Sequence, residues 1–140
     1  MNTAIFSEIN WLAVLVATLA YFALGTLWYS KLLFADKWIV YTKVNPADPD
    51  AAKGAAGIML GSFVLMFITV LALAILRAYL DKEGWMSGLK IGLLTGICFG
   101  ATAISVSYLY EKRPMGLHLI NNGYTVAGHV IAAIIICSWV

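Results

Sequence analysis

The residues of this chain best equipped for chemistry lie on one face of its last apolar stretch. His118, Asn122, Thr125 and His129 stand at i, i+4, i+7 and i+11, which a helix brings onto a single stripe, and Asn121 flanks them. An imidazole can change charge near neutral pH, and an amide both donates and accepts hydrogen bonds. The preceding apolar stretch carries a second stripe of Thr95, Cys98, Thr102 and Ser105. A short hairpin at Glu111-Lys112-Arg113-Pro114 joins the two. Matching depths across it puts Ser105 beside Asn121 or Asn122, Thr102 level with Tyr124 or Thr125, and Cys98 level with Gly128 or His129. Polar stripes at equal depth predict an interior seam, since lipid-facing amides and imidazoles are costly. As glue, such a seam supplies interhelical hydrogen bonds of roughly 0.6 to 2 kcal/mol each. As a functional element, it is a polar cleft that binds or passes a small solute or a proton. His129 then sits near mid-membrane and His118 nearer the interface.

What the chain lacks narrows the chemistry. No Asp or Glu lies deep in an apolar stretch, which disfavours a carboxylate-based proton antiporter. Two histidines eleven residues apart, with no third ligand, make a poor metal site. Cys98 and Cys137 differ in depth by about nine residues, roughly 13 Å on antiparallel neighbours, too far for a disulfide. Phosphate-binding glycine loops, nucleophile elbows and redox pairs are missing, so neither a cofactor nor an enzyme activity is expected. A net charge of +2 with no basic stripe excludes a nucleic-acid partner.

These residues need a scaffold, and composition says where it lies. Of 140 residues 62% are hydrophobic and only 11% charged, with a mean hydropathy of +0.88. A soluble domain of this size could not hide that much apolar surface, so the partner is the lipid bilayer. Four apolar stretches, at about 10–34, 55–79, 86–110 and 117–140, are each long enough to cross about 30 Å of hydrocarbon. Open sheets would leave backbone groups unpaired in lipid, so the stretches are predicted helices. The first lacks a basic segment before it and is expected to be retained rather than cleaved. Tight hairpins at Asp81-Lys82-Glu83-Gly84 and at Glu111 to Pro114 make neighbours antiparallel. The expected fold is therefore one all-α domain over 1–140, an up-down-up-down four-helix membrane bundle.

Aromatic residues fall at two levels: Trp11, Tyr79, Trp85 and Trp139 at one end, and Trp28, Tyr29, Tyr108 and Tyr110 at the other, as two interfacial belts. Lys31, Lys37, Lys43, Lys53, Lys112 and Arg113 flank the latter end, against Arg77, Lys82 and Lys90 at the former. That bias of six to three puts the loop at about 35–54 in the cytoplasm and both termini outside. In that loop, Lys37 to Tyr41 is expected to lie on the interface, and Asn45-Pro46 to turn. Asp48-Pro49-Asp50 is expected to start the second helix, with Asp48 as its cap.

Gly88, Gly92, Gly96 and Gly100 recur at every fourth residue of the third stretch, a groove into which another backbone can sink. It serves packing inside the bundle or, alternatively, a homo-oligomer seam. Gly57 and Gly61 are a weaker version on the second stretch. In the first, Tyr21, Gly25 and Trp28 share a face. There Gly25 is expected to admit a neighbouring helix while Trp28 and Tyr29 anchor the interface.

Three segments carry a resemblance: Ile9-Asn10-Trp11-Leu12-Ala13-Val14, Gly25-Thr26-Leu27-Trp28-Tyr29-Ser30, and Asn121-Asn122-Gly123-Tyr124. Together they resemble the small, largely bacterial membrane proteins grouped as domain of unknown function 1761. The chain departs from them at Lys31, where members often carry Pro. The resemblance implies a bacterial inner-membrane location and brings no assigned activity. The functional expectation is small-solute or ion permeation along the seam between the third and fourth helices. The alternative is an accessory or packing subunit of a larger membrane assembly.

Overall fold

The computed structural model describes residues 3–45, 47–50 and 52–140. Among them there is no strand, and four helices are long and apolar enough to cross a membrane: α1 (Trp11–Trp28), α3 (Ala55–Leu80), α4 (Trp85–Tyr110) and α5 (Met115–Ser138). A short α2 (Ala35–Thr42) lies between the first two. The chain is an all-α multi-pass membrane protein, the class that apolar run length and composition predict.

Local chemistry decides where each helix begins and ends. The Asn10 side chain accepts the Ala13 N–H at 3.1 Å and caps α1. The helix ends at Trp28 rather than at Phe34. Beyond it the Ser30 hydroxyl takes the Leu27 carbonyl at 2.6 Å, and the Phe34 N–H returns to the Trp28 carbonyl at 3.1 Å. Such local bonds offer the backbone an alternative to helix. The second membrane helix starts at Ala55 and not at Asp48, because the Asp48 carboxylate accepts the Asp50 N–H at 3.0 Å in a turn of its own. Gly54 precedes α3 with φ +75°, a conformation that favours glycine. The turn expected at Asn45-Pro46 includes Pro46, which lies outside the described residues.

α5 is the hub. It packs along α4 for most of its length and also meets α1 and α3, whereas α3 and α4 scarcely touch. The tightest seam is α4 on α5, where Gly88, Gly92, Gly96 and Gly100 all face α5 of the same chain. A strict four-residue repeat drifts around an ideal α-helix. A wider π-helical turn over Gly96–Ala101 takes up that drift and keeps Gly96 and Gly100 turned toward Val126, Thr125 and His129. Gly57 and Gly61 do not pack: a Cβ on either would meet nothing within 4 Å.

The two ends of the bundle differ. At the end where α1 and α4 begin, Val14, Ala17, Val70, Ala132 and Cys137 are almost wholly buried together. The Gly84 N–H donates to the Cys137 carbonyl at 2.8 Å, tying the start of α4 to the end of α5. Buried Arg77 closes the α3–α4 turn through the Lys82 carbonyl at 3.0 Å and Glu83 at 2.9 Å. At the α2 end the first half of α3 is largely exposed, with Ile58, Leu60 and Leu65 on its surface.

Candidate functional site

α5 carries the polar side chains and its neighbours complete them. Asn121 bridges three helices. Its Oδ1 accepts the hydroxyl of Tyr29, just past α1, at 2.7 Å, and its Nδ2 donates to the hydroxyl of Tyr108 on α4 at 2.6 Å. Asn122 donates from Nδ2 to the Ser105 hydroxyl at 2.7 Å, while its buried Oδ1 has no partner among the described residues. His118 is buried with its ring edge-on to Tyr108, centroids 5.2 Å apart. His129 places Nδ1 2.7 Å from the Thr125 carbonyl. A carbonyl only accepts, so Nδ1 is the donor in this contact.

The two polar stripes thus meet only in part. Ser105 finds Asn122. Thr95 and His129 line one cavity of about 290 Å³ in the gap between α3 and α4. Thr102 stays outside the seam. It is exposed, as is Cys98, and its hydroxyl turns back to the Cys98 carbonyl at 2.7 Å. Counting at 3.6 residues per turn places Thr102 inward, but the π-helical turn just before it rotates the following residues off that count.

Aromatic residues complete the interior. Trp28 and Tyr29 do not serve simply as interfacial anchors: the Trp28 indole donates to the Ile120 carbonyl at 2.9 Å, within the bundle. Gly25 admits the Tyr124 side chain from α5 rather than a helix backbone, and the Tyr124 hydroxyl donates to the Tyr21 carbonyl at 3.1 Å. Conversely, Gly123 and Gly128 of α5 receive Trp28 and Tyr21. The result is a continuous run of rings, Trp38, Tyr29, Tyr124, Tyr21 and His129, with successive centroids 6.1, 5.4, 5.3 and 6.0 Å apart. The shared face of Tyr21, Gly25 and Trp28 is legible in the sequence; that Gly123 and Gly128 lie opposite it is seen only in the fold.

Beside the Tyr29–Asn121 pair the bundle opens. Two neighbouring cavities of about 510 and 440 Å³ share Tyr29, Ile58 and Ser62 in their walls. Asn121 and Trp38 line the first, and Tyr124 and Thr26 the second. Their walls are largely apolar, and among the described residues no charged side chain lines either one. At the opposite end of the bundle the corresponding space is about 10 Å³. A largely apolar cleft with a few convergent hydroxyl and amide groups suits a ligand with an apolar body and a neutral polar end.

A family model described as protein of unknown function (DUF1761) matches residues 12–137. No curated protein matches the chain, and no solved structure does.

Proposed function

We propose, from the premise that this chain belongs to the DUF1761 family of proteins of unknown function, that it admits a small uncharged amphiphile into the cleft between α1, α2 and α3 as the binding step of permeation. One observation carries the reading: the bundle is open at the α2 end, with cavities of about 510 and 440 Å³, and packed shut at the other. The Tyr29–Asn121 pair meets the polar end of the solute, and the apolar walls take its body. A charged group would lose its hydration there with no counter-ion to replace it. Passage along the α4–α5 seam has less support, because glycine contacts bring those two backbones together.

A cleft-filling variant tests the reading. Ser62 is half-buried and lines both cavities, so Ser62→Phe should occupy the space without disturbing the packed end. The probe is a diazirine-bearing decanol, photolysed with the protein in nanodiscs. Wild type should be labelled chiefly around Ile58 to Ser62, and the variant at least ten-fold less at an unchanged melting temperature. Equal labelling of the variant, or labelling spread evenly over all exposed apolar faces, would favour the accessory-subunit reading, in which nothing need enter the cleft.

The same proposal places the protein in an inner membrane with the α2 end in the cytoplasm, since that end carries most of the Lys and Arg. In a background lacking Cys98 and Cys137, single cysteines at Asp48 and at Glu83 are probed with an impermeant thiol reagent in intact cells. Glu83→Cys should react and Asp48→Cys should not. The reverse pattern inverts the orientation.

A further inference from the structure

We propose that the α2 end carries a second binding site, independent of the cleft, for a phosphate-class anion where the end of α2 meets the α4–α5 turn. A cavity of about 450 Å³ lies there between Tyr41, Thr42 and Lys43 on one side and Glu111, Lys112, Arg113 and Pro114 on the other. Three cations and one carboxylate line it. Glu111 engages only Arg113, at 3.4 Å, and no ion pair among the described residues engages Lys43 or Lys112. Lys43 and Lys112 thus line one concave space with no ion-pair partner among the described residues.

The walls are built rather than incidental. Tyr41 occupies the space over Gly116, where a Cβ would fall within its ring, so the last turn of α2 is seated on the first turn of α5. Lys43 and Lys112 both adopt left-handed backbone, with φ +58° and +55°. L side chains rarely adopt it, yet here it ends both helices at the cavity wall. The Lys43 N–H closes α2 on the Ile39 carbonyl at 2.9 Å, and the Lys112 N–H closes α4 on the Leu109 carbonyl at 3.2 Å.

The site's depth also bears on its ligand. Tyr110, next to it on α4, is exposed at the end of an apolar span, the level at which lipid headgroups lie. Anionic headgroups attract basic residues at that level. Arg113 and two lysines suit phosphate oxygens, which take several charge-assisted hydrogen bonds at once. The group recognised is a phosphate, carried by an anionic lipid or free in solution.

Lys43→Gly/Lys112→Gly removes both unpaired charges and replaces each lysine by the residue its backbone conformation favours, so the fold should hold or gain stability. Native mass spectrometry is run on the protein with added phosphatidylglycerol, and calorimetric titration with inorganic phosphate in phosphatidylcholine nanodiscs. Wild type should retain one phosphatidylglycerol, and the double variant should lose retention at least ten-fold. A control losing the same charge at the other end, Lys82→Ser/Lys90→Ser, should keep it. Phosphate binding in the neutral discs that disappears in the glycine variant supports the same site with a soluble ligand. The proposal is overturned if neither probe binds, if the glycine variant binds as wild type, or if the control loses as much. Ser62→Phe, which fills the cleft, should leave both titrations unchanged.

Discussion

Gly92→Leu should prevent α4 from docking on α5, while Gly57→Leu leaves the protein as stable as wild type or slightly more so. A Cβ on Gly92 would lie 2.5 Å from the Val130 Cα and 2.8 Å from the His129 carbonyl oxygen. Those are backbone atoms of a packed helix, which cannot rotate aside, so the two helices must separate. Overpacking a tight interface typically costs about 1–3 kcal/mol, and a leucine against backbone belongs at or beyond the top of that range. Gly88 should behave similarly, since its Cβ would sit 2.6 Å from the Ala133 carbonyl oxygen. Gly96 should tolerate alanine better. Its nearest contacts are the Val126 Cα at 3.0 Å and the His129 Cβ at 3.1 Å, looser than at Gly92 and partly side chain. At Gly57 a Cβ meets nothing within 4 Å, and replacing glycine within a helix gains about 1 kcal/mol of propensity. Thermal unfolding in detergent reads all four variants. Equal midpoints for the Gly92 and Gly57 variants would mean that α4 does not approach α5 this closely.

Asn121→Leu should carry the second largest effect, and on two readouts at once. The side chain removed accepts from Tyr29 and donates to Tyr108, so a single change strands two phenol groups from different helices. At roughly 0.6 to 2 kcal/mol per interhelical bond, the loss should total about 1–4 kcal/mol and lower the unfolding midpoint by several degrees. Tyr29 also lines both cavities of the cleft and Asn121 lines one, so decanol labelling should fall with it. Asn122→Leu separates the two effects. It loses one bond to Ser105, relieves a buried Oδ1 that has no partner among the described residues, and touches neither cavity. Its stability cost should be smaller and its labelling unchanged. If both variants lose stability and labelling equally, Asn121 acts through the fold and not through the cleft.

Particular residues show why the sequence could be read only so far. Asn122 and Ser105 could be matched because both lie within a few turns of one short hairpin, where depth can be counted along two helices. Counting along the sequence puts Thr102 in one stripe with Thr95, but the π-helical turn at Gly96–Ala101 lies between them and shifts their relative phase, which leaves no mark in a hydropathy pattern. Tyr29 and Tyr108 carry the amphipathic chemistry of an interfacial belt, and nothing in their spacing says that they turn inward to one amide. Their partner is Asn121, 92 residues along the chain from Tyr29, so its distance depends on how three helices rotate against one another. The glycine repeat announced a close backbone approach without naming the partner, which proved to be α5 of the same chain.

The sequence by itself determined that this is an all-helical membrane protein with four spans. Run length and apolar content decide that alone, because every backbone group in hydrocarbon must be paired within its own helix. Only the tertiary structure decided that α5 is the hub and that the α4–α5 seam is shut. It also placed the open cleft between α1, α2 and α3, with Asn121 in its wall. Those facts rest on contacts between side chains on different helices, and in a bilayer such contacts are chosen by close packing and hydrogen bonding rather than by hydrophobic burial. Hydropathy reports which segments leave water; it does not record which face of each helix meets which.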